Sequence, residues 1–295
     1  MIWCSGWKLA AAVSNAGGLG LIGAGSMYPD VFEHHLTKCR EATDKPFGVN
    51  LPLLYPDVDK LIDILLRHEI KIVFTSAGNP AKYTSFFKDY GLTVVHVIAN
   101  RKFALKAVQA GVDAIVAEGF EAGGHNGFEE TTTLTLIPLI RQITDIPLLA
   151  AGGIATGRQM LAAIALGAEG VQVGSRFAAS TESSAHESFK HKIVEAGEGD
   201  TRLQLKSLVP VRLLKNAFAD QVFQAELHGA SSEELAGLLG KSRAKKGMFE
   251  GDMDEGELEI GQVSAIITEI KPAAEIIQEM MDEFNQAGKE LINLF

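Results

Sequence analysis

Apolar and polar positions alternate in two textures up to residue 179. Short, nearly unbroken apolar runs stand at residues 19–24, 47–51, 72–77, 93–98, 114–117, 147–151 and 170–173. They lack the in-out alternation of a half-exposed strand and read as parallel strands buried on both faces. Between them, apolar residues recur at helical spacing over 29–42, 58–68, 81–90, 102–110, 134–143 and 157–166. A first helix at 7–16 precedes the set and is stopped by Gly17-Gly18. Strand starts fall about 21 to 33 residues apart, the length of one strand–loop–helix–loop unit. Seven strands with six intervening helices predict a TIM (β/α)8 barrel without its first strand. On this reading the chain begins, at Met1, in the loop where that strand would end.

After Phe177 the pattern changes. Residues 180–259 are charged, mostly helical in spacing and without a strong strand, and read as a smaller substrate-side domain beside the barrel mouth. From residue 260 amphipathic helical spacing resumes, broken at Pro272, and is expected to return to the outside of the barrel. The division is therefore a barrel at 1–179, the smaller domain at 180–259 and C-terminal helices at 260–295.

Composition narrows the classes. With 27 basic and 37 acidic residues the net charge is −10, which argues against nucleic acid or an anionic membrane as the main partner. Cys4 and Cys39 are the whole cysteine complement and form no CxxC, so a reducing, cytoplasmic setting is expected and a disulfide framework is not. No HExxH or other metal-ligand spacing is present, and no metal is expected. Residues 9–29 carry no charge, but their serine, asparagine and glycines split them into a helix and a strand, not a membrane span.

Candidate chemistry gathers at strand ends. The run Ala117-Glu118-Gly119-Phe120-Glu121-Ala122-Gly123-Gly124-His125-Asn126-Gly127 leaves the fifth strand as a bare loop holding carboxylates and one imidazole. Groups of this kind move protons near neutral pH. Ala150-Ala151-Gly152-Gly153-Ile154 and Gln172-Val173-Gly174-Ser175-Arg176 end the last two strands, where barrels most often hold phosphate on backbone N–H groups and a helix N-terminus. Ser175 would add a hydroxyl donor and Arg176 a charge. Asn50 ends its strand with an amide suited to a heterocycle edge. Gly18-Leu19-Gly20-Leu21-Ile22-Gly23 matches GxGxxG, but a helix precedes it and the motif lies on a strand, the wrong context for a dinucleotide fingerprint.

Taken with Ser14-Asn15-Ala16-Gly17-Gly18-Leu19-Gly20 and Phe47-Gly48-Val49-Asn50, these motifs resemble the nitronate monooxygenase (2-nitropropane dioxygenase) family, itself similar to the flavin-dependent enoyl-ACP reductases II. The resemblance implies FMN on a TIM barrel, which makes 1–179 an FMN-binding barrel. It implies His125 as catalytic residue, and Asn50, Glu118, Gly123, Gly153 and Gln172, Val173, Gly174 and Ser175 as FMN contacts, with Gly124 and Gly152 adjacent. It further implies oxidation of alkyl nitronates with O2. The alternative is NAD(P)H-dependent reduction of an acyl-thioester double bond, which the C-terminal stretches around Thr181, Leu214-Lys215-Asn216 and Gly251-Asp252 resemble. A non-catalytic flavin-binding protein is the third reading, and a homodimer stays open.

Overall fold

The apolar runs form strands β1 (Gly20–Gly23), β2 (Phe47–Pro52), β3 (Ile72–Ser76), β4 (Thr93–Ile98) and β5 (Ala114–Glu118). They continue as β7 (Leu148–Ala151) and β8 (Gly170–Gln172), after a two-residue strand β6 (Gly124–His125). The computed structural model describes residues 2–293. Met1, where the sequence puts the start of the incomplete barrel, and residues 294–295, the end of the third segment, lie outside it.

All seven long strands run parallel in the order β1-β2-β3-β4-β5-β7-β8, a curled sheet with helices outside it and a TIM-like α/β fold. Inward residues such as Leu21, Phe74, Val95, Val116 and Ala151 pack together in the barrel interior. Outward residues such as Ile22, Val49, Val73, Val94 and Ile115 pack on the helices. Both faces are covered, which is why the strands read as unbroken apolar runs.

The helices are α1 (Trp7–Asn15), α2 (Pro29–Ala42), α3 (Val58–Arg67), α4 (Thr84–Asp89), α5 (Arg101–Ala110), α6 (Thr133–Arg141), α7 (Gly157–Ala165) and α8 (Ser175–Ala178). They continue as α9 (Glu187–Glu195), α10 (Ala217–Leu227), α11 (Ser232–Leu239) and α12 (Ala273–Ile292). Local signals start several of them: Asn100 caps α5, and Thr156 with Gln159 forms a capping box on α7. Among the described residues no helix is long and apolar enough to cross a membrane.

The sheet is open. Among the described residues β1 pairs only with β2, and β8 only with β7, so these two strands are its edges. Beside β1, the carbonyl of Ser5 accepts the N–H of Gly23 at 2.9 Å, and the Ser5 hydroxyl donates to the Leu21 carbonyl. On the outside, α12 lies against both α7 and α1 and so spans the opening. Its backbone presses on Gly157, where a Cβ would stand 2.1 Å from the Met280 carbonyl oxygen.

The second region contains two strands that its charged sequence hides. β9 (Thr201–Gln204) and β10 (Val211–Leu214) pair antiparallel, and β6 joins them in the order β6-β10-β9. Each is short and carries an arginine, so neither shows an apolar run. Their partner β6 comes from the loop after β5, and the small sheet is thereby tied to the barrel mouth.

Candidate active site

A cavity opens at the carboxyl ends of β5, β7 and β8, where parallel sheets of this kind place their sites. Strand register sets its floor: Glu118 lies beside Ala151, and Ala151 beside Gln172. One wall is the backbone of Gly152, Gly153, Val173, Gly174 and Ser175. The facing wall combines Glu121, Ala122 and Gly123 with the strap Glu259–Ile260, while Ile2, Cys4 and Leu9 close a third side.

The glycine wall is shaped by close approach. Gly152 and Gly153 both have positive φ, +86° and +71°, which other residues rarely adopt. Gly174 differs: it lines the cavity, and a Cβ there would meet nothing within 4 Å. Among the described residues no acceptor takes the backbone N–H groups of Gly152, Gly153, Gly174 or Ser175. Four unclaimed donors around empty space suit an anionic group. The carboxamide oxygen of Gln172 is buried on the floor and also lacks a partner.

Two expectations about this wall change. The N-terminus of α7 is already satisfied, by Gln159 on the N–H groups of Ala155 and Thr156 and by Glu283 on that of Gly157, so it offers nothing to a phosphate. Arg176 turns away on α8: it is 9% exposed and donates Nη1 to the Glu269 carbonyl at 3.0 Å, facing α12. The Ser175 hydroxyl oxygen accepts the Gly261 N–H at 3.0 Å, which leaves its hydrogen free to donate.

Among the described residues no lysine, arginine or histidine lines the cavity, whereas three carboxylates do. Glu121 is tied down, accepting from the N–H of Thr133 at 2.9 Å and from its hydroxyl at 3.0 Å, and so caps α6. Burial pushes Glu118 up to about 7. Burial, reinforced by the charge of Glu259, pushes Glu257 behind the strap up to about 8 and the Cys4 thiol up to about 11.

Of the residues singled out in the sequence, Glu118, Gly123, Gly152, Gly153, Gln172, Val173, Gly174 and Ser175 come together here. Asn50, Gly124 and His125 do not line the cavity. Asn50 points into the barrel but donates to the Phe74 carbonyl at 3.2 Å and the Ser76 hydroxyl at 3.3 Å. Gly124 backs onto Glu259. His125 is exposed on β6, two residues from Gly123 and opposite Val211. Cross-strand neighbours share a face, and Val211 packs in the small-domain core, so the imidazole stands on that side of the small sheet.

The sequence gives no sign of Glu259 or Arg212. Arg212 is 2% exposed on β10, and its Nη2 and Nε donate to the Phe120 carbonyl at 2.9 and 3.2 Å. Its guanidinium also covers the Phe120 ring, 4.4 Å from the centroid. It thus grips the loop that carries Glu121, Gly123 and His125. Glu259 hides in the acidic run 250–259, which otherwise reads as a solvated surface.

Comparison with known proteins agrees with this architecture. The chain is similar to FabK from Thermotoga maritima, with 40% identity, TM-score 0.95 and coverage of 100% of this chain and 94% of that one. It is similar to a nitroalkane oxidase from Streptomyces ansochromogenes, with 27% identity, TM-score 0.85 and coverage of 98% and 95%. A curated relative from Rhodococcus jostii, (3aS,4S,5R,7aS)-5-hydroxy-7a-methyl-1-oxo-octahydro-1H-indene-4-carboxyl-CoA dehydrogenase, is 37% identical over 206 residues. That match takes in 70% of this chain and 58% of the relative's length. The family model for nitronate monooxygenase matches residues 1–60 and 55–283. The chain belongs to the nitronate monooxygenase family, a family of oxidoreductases.

Proposed function

We propose that this chain is an FMN-dependent oxidoreductase that oxidises alkyl nitronates with O2, with His125 as its catalytic base. The observation that carries the reading is the cradle at the ends of β7 and β8: four unclaimed backbone N–H groups belong to residues that line one cavity. A phosphate fits such donors without a basic side chain, and among the described residues none lines the cavity. Glu118 and Gln172 on the floor would meet the polar edge of the ring system. The unpartnered Gln172 oxygen calls for a donor, and Glu118, with its raised pKa, can offer a proton. When bound, the flavin supplies the two-electron chemistry and the route to O2. The protein's part is to hold it, to exclude water with Ile154, Ile260 and Val263, and to bring His125 from the rim to the nitro group, where it polarises an oxygen or takes a proton.

A second reading, an NAD(P)H-dependent enoyl-ACP reductase II, is favoured by the 40% identity with FabK. Anaerobic mixing separates them. Bleaching of the yellow protein by propionate 3-nitronate, with NADPH inert, supports the nitronate reading; rapid bleaching by NADPH overturns it for the reductase. A protein that cannot be reconstituted with FMN leaves only a non-catalytic role.

A further inference from the structure

Behind the candidate active site lies a second pocket that shares no lining residue with it. The chain alternates between the two: Ile154, Ser175 and Phe177 line the first, whereas Ala155 and Arg176 line the second. The strap continues past Ile260, tied by the Gln262 N–H on the Glu121 carbonyl at 2.9 Å and by the Gly261 N–H on the Ser175 hydroxyl. Its stretch 266–269 and Lys271 then form one side of this pocket, and Ile276, Glu279, Met280 and Glu283 of α12 the other.

Arg176 is the group whose placement the fold does not explain. It is 9% exposed, yet among the described residues no carboxylate pairs with it. A guanidinium carries five N–H donors in a planar fork, and only Nη1 has a partner, the Glu269 carbonyl. Nε and Nη2 have none among the described residues, and neither is among the side-chain atoms sealed from solvent, so these donors open onto the pocket that Arg176 lines.

The carboxylates of the pocket are claimed elsewhere. Lys271 holds Glu279 at 2.6 Å and Glu269 at 3.4 Å. Glu283 accepts the Gly157 N–H at 2.7 Å and pairs with Arg158 at 3.7 Å. Burial accordingly pushes Arg176 below its usual value, and the charges of Glu279 and Glu269 only partly oppose it. The three acids are matched by Lys271, Arg158 and Arg176 itself, so a monoanion entering the pocket meets no net negative charge. Burying a charge without a partner is costly. A carboxylate would remove that cost, since its two oxygens accept parallel bonds from the guanidinium fork.

We propose that this pocket binds a small organic carboxylate, its head on the free donors of Arg176 and its short apolar tail against Ile266, Ile276 and Met280. The site is separate from the flavin cradle and does not depend on the reading given to that cradle.

The test titrates sodium butyrate, sodium acetate and inorganic phosphate by ligand-observed NMR at constant ionic strength. The proteins are flavin-loaded wild type, Arg176→Met, Arg176→Lys, Ile266→Asp and Gly174→Val. Butyrate is expected to bind the wild type at one site, up to about tenfold more tightly than acetate because it buries two more methylenes. Phosphate, being tetrahedral, should bind more weakly than butyrate. Arg176→Met should weaken butyrate roughly 30-fold or more, and Arg176→Lys less, since it keeps the charge and loses only the fork. Ile266 is half exposed, so Ile266→Asp adds a negative charge to the pocket without disturbing the core, and it too should abolish binding. If Arg176→Met does not fold, Ile266→Asp decides. Gly174→Val alters only the cradle and should bind butyrate as the wild type does. Loss of binding in Gly174→Val with retention in Arg176→Met or Ile266→Asp would put the anion on the cradle and overturn the proposal. Phosphate binding as tightly as butyrate, or a wild type that binds no butyrate, would overturn it too.

Discussion

The two facing walls of the cavity are made in opposite ways. On the β7–β8 side the working surface is backbone: two glycine turns, bare N–H groups and no charge. On the strap side it is side chain, Glu259 on a segment stitched to the β5–β6 loop, with Arg212 bracing that loop from behind. The first wall can hold an anionic group but cannot move a proton. The second presents a carboxylate, a group that can exchange a proton. The division suggests that binding and proton transfer can be perturbed separately.

The largest effect is expected on the backbone wall. Gly174 has φ −106° and ψ −73°, which valine tolerates, and its Cβ would touch no protein atom. Gly174→Val should therefore fold normally by circular dichroism yet purify without FMN, because its branches fill the phosphate space. A yellow, fully loaded variant would place the phosphate elsewhere and erase the contrast between the walls. Next comes His125→Ala, expected to keep FMN and lose about 10² to 10⁴ in kcat. Unchanged kcat on nitronates and on acyl thioesters would remove His125 from the chemistry.

Smaller still is Arg212→Met. A buried guanidinium that bonds one carbonyl, one hydroxyl and no carboxylate recovers little of its desolvation cost, so Tm should move by only a few degrees. The loop it grips should loosen, seen as faster proteolysis within residues 119–131 and a drop of about tenfold in kcat/KM. A large fall in Tm with unaltered proteolysis would make Arg212 a fold residue only. The mildest effect concerns pH. Glu118 is raised from 4.5 to about 7, so the folded protein binds more protons than the unfolded chain in that window, and stability falls as pH rises through it. Glu257 acts in the same direction up to about 8. Glu118→Gln should flatten only its own share of the Tm slope, and an identical slope in both proteins would mean that Glu118 titrates normally.

The backbone wall was legible in the sequence because everything that makes it is local. A strand that must be apolar on both faces announces itself, and the glycines at 152, 153 and 174 follow such strands directly. The side-chain wall was not. β6 finds β10 across the 85 residues from 126 to 210 with a two-residue register, and that register decides which way His125 faces. Glu259 looks like its acidic neighbours in 250–259 and differs only because the strap folds back over Gly123, where a Cβ would stand 2.3 Å from Ile260. Arg176 sits beside a phosphate-loop motif in sequence, but the turn opening α8 at Ser175 carries its side chain to the far side of the strand.

The helix that spans the open side of the sheet also imposes an order of events on the growing chain. Glu283 and Glu290 of α12 bond Gly157 and Arg158, which are made 126 and 132 residues earlier. At roughly 5 to 20 residues per second on the ribosome, about 6 to 25 s pass between synthesis of the docking groove and arrival of its cover. Throughout that interval two strand edges and the apolar seat of Ile276 and Met280 are bare, so the nascent barrel is most exposed to chaperones, and to its neighbours on the same message, just before its last helix emerges.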